Sequence, residues 1–203
     1  MKKLLIVLVI LSAFAYSGCG SISDAISNAQ RLQWKLGSVS GMNLSGVDVT
    51  KVSSFSSINP LDLVKLTSAV SSGKLPVGFT LNLLAKNPSG EGGSQNSSDV
   101  IKSVDWRLLI DNTETISGNV AGPITIPGVG QTSTIPVSIN LDLMQFFKNE
   151  GLSALVGMAL GIGGKSGSPA RLSLKIKPTI DTFLGAITYP GEITVIDKEF
   201  RSK

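Results

Sequence analysis

The sequence predicts a mainly β protein: an antiparallel two-sheet β-sandwich with one or two short helical additions. Three observations predict it. Apolar and polar residues alternate in several separate runs, as half-buried strands require. Turn-rich stretches such as Pro88 to Ser98 and Pro127 to Gln131 separate those runs. Glycine is frequent at 22 residues, while hydrophobic residues make up 42% and charged residues only 16%, which fits a packed core and many turns better than long helices.

Each element follows in order. Leu32, Trp34 and Leu36 alternate with Gln33 and Lys35, so a strand begins there. Met42, Leu44, Val47 and Val49 continue it, with Gly41 and Gly46 marking bends or bulges. Asn59-Pro60 is a helix start, a cap residue followed by proline at the first helical position. Leu63, Leu66, Thr67 and Val70 share one face of that helix, and Gly73 ends it as a left-handed cap. The helix is expected across the edge or end of a sheet. Val77, Phe79, Leu81, Leu83 and Ala85 then point one way along a strand, with Gly78, Thr80, Asn82, Leu84 and Lys86 pointing the other. Val104, Trp106, Leu108 and Ile110 repeat the pattern, as do Ile135, Val137, Ile139 and Leu141. Leu172, Leu174 and Ile176 oppose Ser173, Lys175 and Lys177, and Ile193 and Val195 close the series. One wet face per strand is the mark of antiparallel sheets.

One stretch breaks the rhythm. Leu141 to Ile162 is expected to form a helix to about Asn149, a break at Gly151, and a second short helix. The second is apolar nearly all round and must be buried or face an apolar body. Phe146 and Phe147 are adjacent, so one helix face cannot hold both; at least one is expected to face solvent or another molecule. Phe146, Phe147, Leu155 and Met158 are therefore the candidate contacts for an apolar ligand or a protein partner. The plainer reading of this stretch is a helical lid over one end of the sandwich.

Composition excludes several chemistries. The chain of 203 residues has no histidine and a single cysteine, Cys19. Ser-His-Asp and Cys-His catalysis, structural zinc sites and histidine-ligated haem are excluded. No internal disulfide can form. The formal net charge is +4, but Lys2 and Lys3 belong to the leader discussed next, and without them 16 basic and 14 acidic side chains remain. Basic residues are scattered and aromatics are 5%, so no nucleic-acid partner is expected.

The N-terminus carries the strongest localising signal. Lys2 and Lys3 precede an apolar run from Leu4 to Phe14, which ends in Ser17-Gly18-Cys19. The run is shorter than the roughly 20 apolar residues a membrane-spanning helix needs. The segment resembles a bacterial lipoprotein signal with its lipobox, with Tyr16 standing where such boxes usually carry Leu. The resemblance implies cleavage before Cys19, acylation of that cysteine, and anchoring to a membrane of the bacterial envelope. Gly20 replaces the Asp that holds some lipoproteins at the inner membrane, so the outer membrane facing the periplasm is expected. Residues 1–18 then form the signal peptide, 19–30 a small polar tether, 31–74 the first strands and helix, and 75–203 the main sandwich with a helical insert at 142–163.

The central region has its own resemblance. Phe79-Thr80-Leu81-Asn82-Leu83-Leu84-Ala85-Lys86-Asn87-Pro88 is followed in order by Trp106 to Ile110, Ile116-Ser117-Gly118, Ala121-Gly122, Ile126-Pro127-Gly128 and Ile135-Pro136-Val137. This series resembles the type 2 late embryogenesis abundant domain, also called the water stress and hypersensitive response domain. The match covers Leu75 to Asp142 and extends more loosely to Phe200. It implies a fibronectin-type-III-like or immunoglobulin-like sandwich linked to desiccation or stress tolerance, with no catalytic site and no cofactor. Two features depart from the pattern: Ser89-Gly90 follows Asn-Pro, and Asn149 to Gly164 looks inserted. Read from the residues alone, Pro88 must end a strand or sit at its edge, and the Asn87 amide can close a turn on nearby backbone.

Other motifs are weaker. Ala159-Leu160-Gly161-Ile162-Gly163-Gly164-Lys165-Ser166 fits a loose phosphate-loop pattern, but an apolar helix precedes it and a strand follows, the reverse of what phosphate binding needs. Asp105 and Asp111 are expected on a wet strand face, and Asp48, Asp62 and Asp142 stand isolated. No paired carboxylates for glycoside cleavage and no calcium-loop cluster emerge. The expected function is therefore non-catalytic: binding or envelope stress protection, with carriage of lipid or another apolar ligand as the alternative.

Overall fold

The computed structural model describes residues 31–88, 100–125, 127–164, 171–182 and 185–196. Nine strands form two antiparallel sheets in these residues. They are β1 (Gln33–Leu44), β2 (Val47–Asp48), β3 (Pro76–Lys86), β4 (Val100–Ile110), β5 (Thr113–Thr125), β6 (Thr132–Asp142), β7 (Leu172–Thr182), β8 (Gly185–Thr188) and β9 (Ile193–Ile196). The first sheet, sheet A, has the order β2-β1-β3-β6. The second, sheet B, has the order β5-β4-β7-β8, with β9 also paired to β7. The predicted β-sandwich is the architecture observed.

Alternation explains the core. Every inward residue expected on β3, β4 and β6 is buried, from Val77 to Ala85, Val104 to Ile110 and Ile135 to Leu141. β3 and β6 pair from Pro76↔Asp142 to Lys86↔Thr132 without a register shift, so both hydrophobic sets stay on the core side. The expected irregularity of the first strand is real. β1 shifts register against β3 between Leu36 and Val39 and again between Ser40 and Asn43. The second shift contains Gly41, whose φ of +64° favours glycine.

Edge strands are interrupted. β8 and β9 run along the same side of β7, and Tyr189 to Glu192 bulge between them opposite Lys177 and Pro178. Pro123 lies in β5 and Pro136 in β6, the outer strands on the other side. Such breaks discourage edge-to-edge pairing with other chains.

The helices gather at one end of the sandwich. Helix α1 (Pro60–Ser71) starts as expected: the Asn59 side chain accepts from Asp62 N–H at 2.9 Å, and Pro60 occupies the first turn. Its end is also as expected, with Gly73 at φ +75° and Lys74 N–H donating to the Ala69 carbonyl. Helix α2 (Leu143–Phe146) is shorter than the sequence predicts, ending at Phe146 rather than near Asn149. Phe147 has φ −128° and ψ 38°, which turns the chain off the helix axis. Helix α3 (Leu152–Ile162) follows Gly151 and buries Leu155, Val156, Ala159, Leu160 and Ile162. Its apolar character is thus absorbed mainly by the core.

Two strands escaped the sequence reading. β5 is thirteen residues long, yet Gly118, Gly122 and Pro123 blur its alternation. β8 has only four residues. Asp111 is also not on a strand face. With Asn112 it makes the β4–β5 turn, at φ +48° and +65°, which suits a two-residue hairpin connection. Its Oδ1 accepts from Arg171 N–H at 2.8 Å and its own N–H donates to the Arg171 carbonyl, so it ties this turn to the residue before β7 rather than bonding locally as expected.

Candidate functional site

Three places carry the residues that sequence reasoning singled out. The first joins two motifs that lie 40 positions apart in the chain. Asn87, just after β3, donates from Nδ2 to the Pro127 carbonyl at 3.0 Å. Its backbone N–H donates to the Gln131 carbonyl at 3.0 Å, and its own carbonyl accepts from Gly130 N–H at 2.7 Å. Gly130 supplies a φ of +79° for the turn. Asn87-Pro88 and Pro127-Gly128 therefore form one clasp at the end of sheet A opposite the helices. The turn-closing role expected of the Asn87 amide is the role it plays.

The second place is the helical end. Asp142 caps α2 by accepting from Met144 N–H at 3.0 Å, and the same oxygen accepts from Leu75 N–H at 2.7 Å. One carboxylate thus ties the insert to the start of β3. Leu155 is fully buried, while Phe146, Phe147 and Met158 are half-buried and packed against the core. Neither phenylalanine stands out in solvent. The sequence argument assumed one continuous helix face, and the departure of Phe147 from helical geometry lets both rings lean on the core.

Cavities lie instead at the other end of the insert. One of about 250 Å³ is bordered by Leu36, Val39, Leu81 and the Gly161–Gly164 turn. A second, of about 190 Å³, is bordered by Met42, Val49 and Leu160, and shares Val39 and Gly163 with the first. They flank the junction of α3 with β1. Sequence reasoning missed Val39 and Gly163. The available signal was the glycine run itself, which leaves space where side chains would fill it.

The third place is the outer face of sheet B. Arg107 Nη1 donates to both oxygens of Glu114, at 3.0 and 2.8 Å, and its Nη2 donates to Glu192 at 2.5 Å. Asn119 donates to Asp105 at 2.5 Å. The hydrogen bond from Arg107 holds the Glu192 carboxyl below the usual carboxylate range, and the two glutamates, Glu192 first, push the Arg107 guanidinium up. Each group is driven further into its ordinary charged form. Acid–base catalysis needs the opposite tuning, toward a pKa near the working pH. Glu192 lies 85 positions from Arg107, so nothing local in the sequence announced the pair.

Cys19 lies outside the described residues. Among the described residues no helix is long and apolar enough to cross a membrane, and no group of three or more His, Cys, Asp or Glu residues could hold a metal ion.

No protein-family model matches the chain. No curated protein matches it either. Among solved structures, the crystal structure of a protein from Archaeoglobus fulgidus aligns with 81% of this chain and 99% of its own, at 14% identity and a TM-score of 0.33. A likeness that low carries no weight in the arguments that follow.

Proposed function

We propose that this protein is a lipid-anchored, non-catalytic envelope module with a type 2 late embryogenesis abundant-like sandwich, working by binding or by protection under water stress. The observation that carries the reading is the clasp of Asn87 with Pro127, Gly130 and Gln131. Two motifs on which the resemblance rests are distant in sequence yet bonded to each other in space, as parts of one family signature should be. The anchor reading rests on Lys2, Lys3, the apolar run and Cys19.

Anchoring at Cys19 would also orient the domain. A tether over residues 19–30 reaches about 40 Å at roughly 3.3–3.6 Å per residue. β1 alone, with 12 residues, spans about 40 Å at roughly 3.3 Å each. β1 begins at the clasp end, where Gln33 pairs with Lys86. An anchor joined to the chain at the clasp end would place the clasp toward the membrane and the helical end away from it.

A second reading is favoured by the two cavities beside α3: the insert and sheet A hold an apolar chain between them. Each cavity is below the roughly 300 Å³ at which small-molecule sites begin, so each would admit a short segment of an acyl chain rather than the whole of one.

One experiment addresses both readings. Mass spectrometry of the native, detergent-extracted protein is expected to show a chain beginning at Cys19 with acyl groups attached. Cys19→Ser should lose that mass and leave the membrane fraction. A bare Cys19 on a freely soluble product would defeat the anchor reading. Co-purifying lipid that disappears in Val39→Trp would favour the carrier; its absence from both proteins would leave the non-carrier reading in place.

A further inference from the structure

Toward the helical end the outward positions of sheet A form rows of hydroxyls and amides in register; toward the clasp the face changes to Lys35 beside Leu84 and Gln33 beside Lys86. Ser40, Thr80 and Ser138 are partners across β1, β3 and β6. Asn43, Gly78 and Asn140 make another row, closer to the helical end. Asn82, paired with Pro136, donates from Nδ2 to Ser38 Oγ at 3.0 Å. Among the described residues the one charged member of these rows is Asp48, the β2 partner of Asn43, whose carboxylate accepts from Thr50; no cation occupies them. The corresponding face of sheet B is built from Asp105, Arg107, Lys175 and Lys177.

A notch of about 570 Å³ opens at the Asn43–Gly78–Asn140 row, and Ser45, Asp142 and Gln145 also border it. Gly78 keeps it open: a Cβ there would lie 2.8 Å from Asn140 Oδ1. The volume lies within the roughly 300–1,000 Å³ typical of small-molecule sites. Among the described residues no Lys or Arg borders it, and the one ionisable residue that does, Asp142, already accepts two backbone N–H groups through Oδ1. An anionic ligand would meet a carboxylate with no cation to offset it. An apolar ligand would strip water from Asn140, Gln145 and the Asn43 Nδ2 (its Oδ1 already accepts from Gly46 N–H) without replacing those hydrogen bonds. A neutral ligand with donors, acceptors and an apolar face matches both the polar groups and the Pro76, Val77, Ile116 and Leu141 that complete the lining.

We propose that the outer face of sheet A binds a neutral glycan chain, with one sugar in the Gly78 notch and its neighbours on the Thr80 and Asn82 rows. The notch alone would accommodate a single unit. The uncharged rows running on from it favour a chain, because each further sugar meets another set of hydroxyls and amides. N-acetylated sugars fit best, since their amides complement the side-chain amides of Asn43, Asn140 and Gln145. The proposal does not depend on the anchor at Cys19 or on the carrier reading.

The test titrates the isotope-labelled full chain, in detergent, with a β-1,4-linked N-acetylglucosamine hexamer and with its dimer. Backbone amide shifts are expected at Gly78, Thr80, Ser138 and Asn140, with the hexamer binding about tenfold tighter than the dimer, as one or two added hydrogen bonds would give. Gly78→Val should abolish binding while keeping a residue suited to an exposed strand. Should that variant fail to fold, Asn140→Ala on the surface decides the matter and should weaken binding about tenfold. Shifts confined to other surfaces, no shifts at all, a hexamer no tighter than the dimer, or full binding by folded variants would each overturn the proposal.

Discussion

Gly118→Ala should destabilise the protein, and the structure says by how much. Gly118 on β5 faces Trp106 on β4, and the two are cross-strand partners. A Cβ at position 118 would lie 2.5, 2.8 and 3.2 Å from three atoms of the Trp106 ring. The ring is only 7% exposed and belongs to the core cluster, so it has little room to retreat. Overpacking of this kind costs about 1–3 kcal/mol. Alanine returns roughly 0.5–1 kcal/mol by reducing the freedom of the unfolded chain. With two of these contacts under 3.0 Å the clash falls in the upper part of that range, about 2–3 kcal/mol, so the net loss is about 1–2.5 kcal/mol, or a fall in Tm of roughly 2–10 °C for a domain of this size. Thermal unfolding followed by circular dichroism measures it. The control is the same substitution in a Trp106→Phe background, where the shorter ring removes the clash. That background sacrifices no hydrogen bond among the described residues, where the Trp106 indole N–H has no partner. The cost of Gly118→Ala should shrink by at least half there, giving a measurable coupling energy. A neutral or stabilising Gly118→Ala, or an equal cost in both backgrounds, would refute the steric argument.

Two further outcomes follow from bonds described above. Asn87→Ala removes the part-buried bond to the Pro127 carbonyl and should cost about 1 kcal/mol, whereas Asn82→Ala, whose bond to Ser38 is exposed, should leave Tm almost unchanged; equal effects would argue against the clasp. Stability should also fall in acid. Hydrogen bonds hold three carboxyls below their ordinary range: Lys65 and then Asn59 act on Asp62, Thr50 on Asp48, and Arg107 on Glu192. A carboxyl depressed by folding contributes stability that is complete above its unfolded value, near 4, and lost as pH falls through the lower folded value. Tm should therefore be level from neutral pH down to about 5 and then decline, and Asp62→Asn should make the decline shallower. A Tm independent of pH down to about 3 would contradict this account.

The core was legible because it is written in periodicity. Trp34, Phe79, Leu108, Ile139 and Leu174 each sit in a run of alternating residues, and all are buried. Helix α1 was legible at both ends because Asn59-Pro60 and Gly73 act through short-range geometry. β5 was illegible for a definable reason. It is an outer strand whose inward positions, Ile116, Gly118, Val120, Gly122 and Ile124, are only half-buried. Two of the five are glycines, kept small by the Trp106 ring at Gly118 and by the Ile101 carbonyl at Gly122. Those constraints arise from a neighbouring strand, so β5's own residues do not display them. The cavities beside α3 were missed for a related reason. They depend on how the insert lands on β1, and attention fell on large side chains at Phe146 and Phe147 rather than on the gaps left by small ones.

Alternation also explains why function was harder to read than fold. In a sandwich each strand commits one face to the core, and only the other face distinguishes one such protein from another. A binary pattern records that second face merely as polar. Yet the two outer faces differ in kind. On sheet B, Arg107 is answered within the chain by Glu114 and Glu192, so that charge is largely spent on the protein itself. On sheet A the rows through Thr80 and Gly78 carry hydroxyls and amides, and their one carboxylate, Asp48 beside Asn43, is bonded to Thr50. Uncharged polar groups held rigidly in register lose little entropy when a neutral ligand takes the place of water. The chemistry of recognition is therefore more naturally sought on sheet A, where Gly78 has been left without a side chain, than on the charged face that a search for reactive residues reaches first.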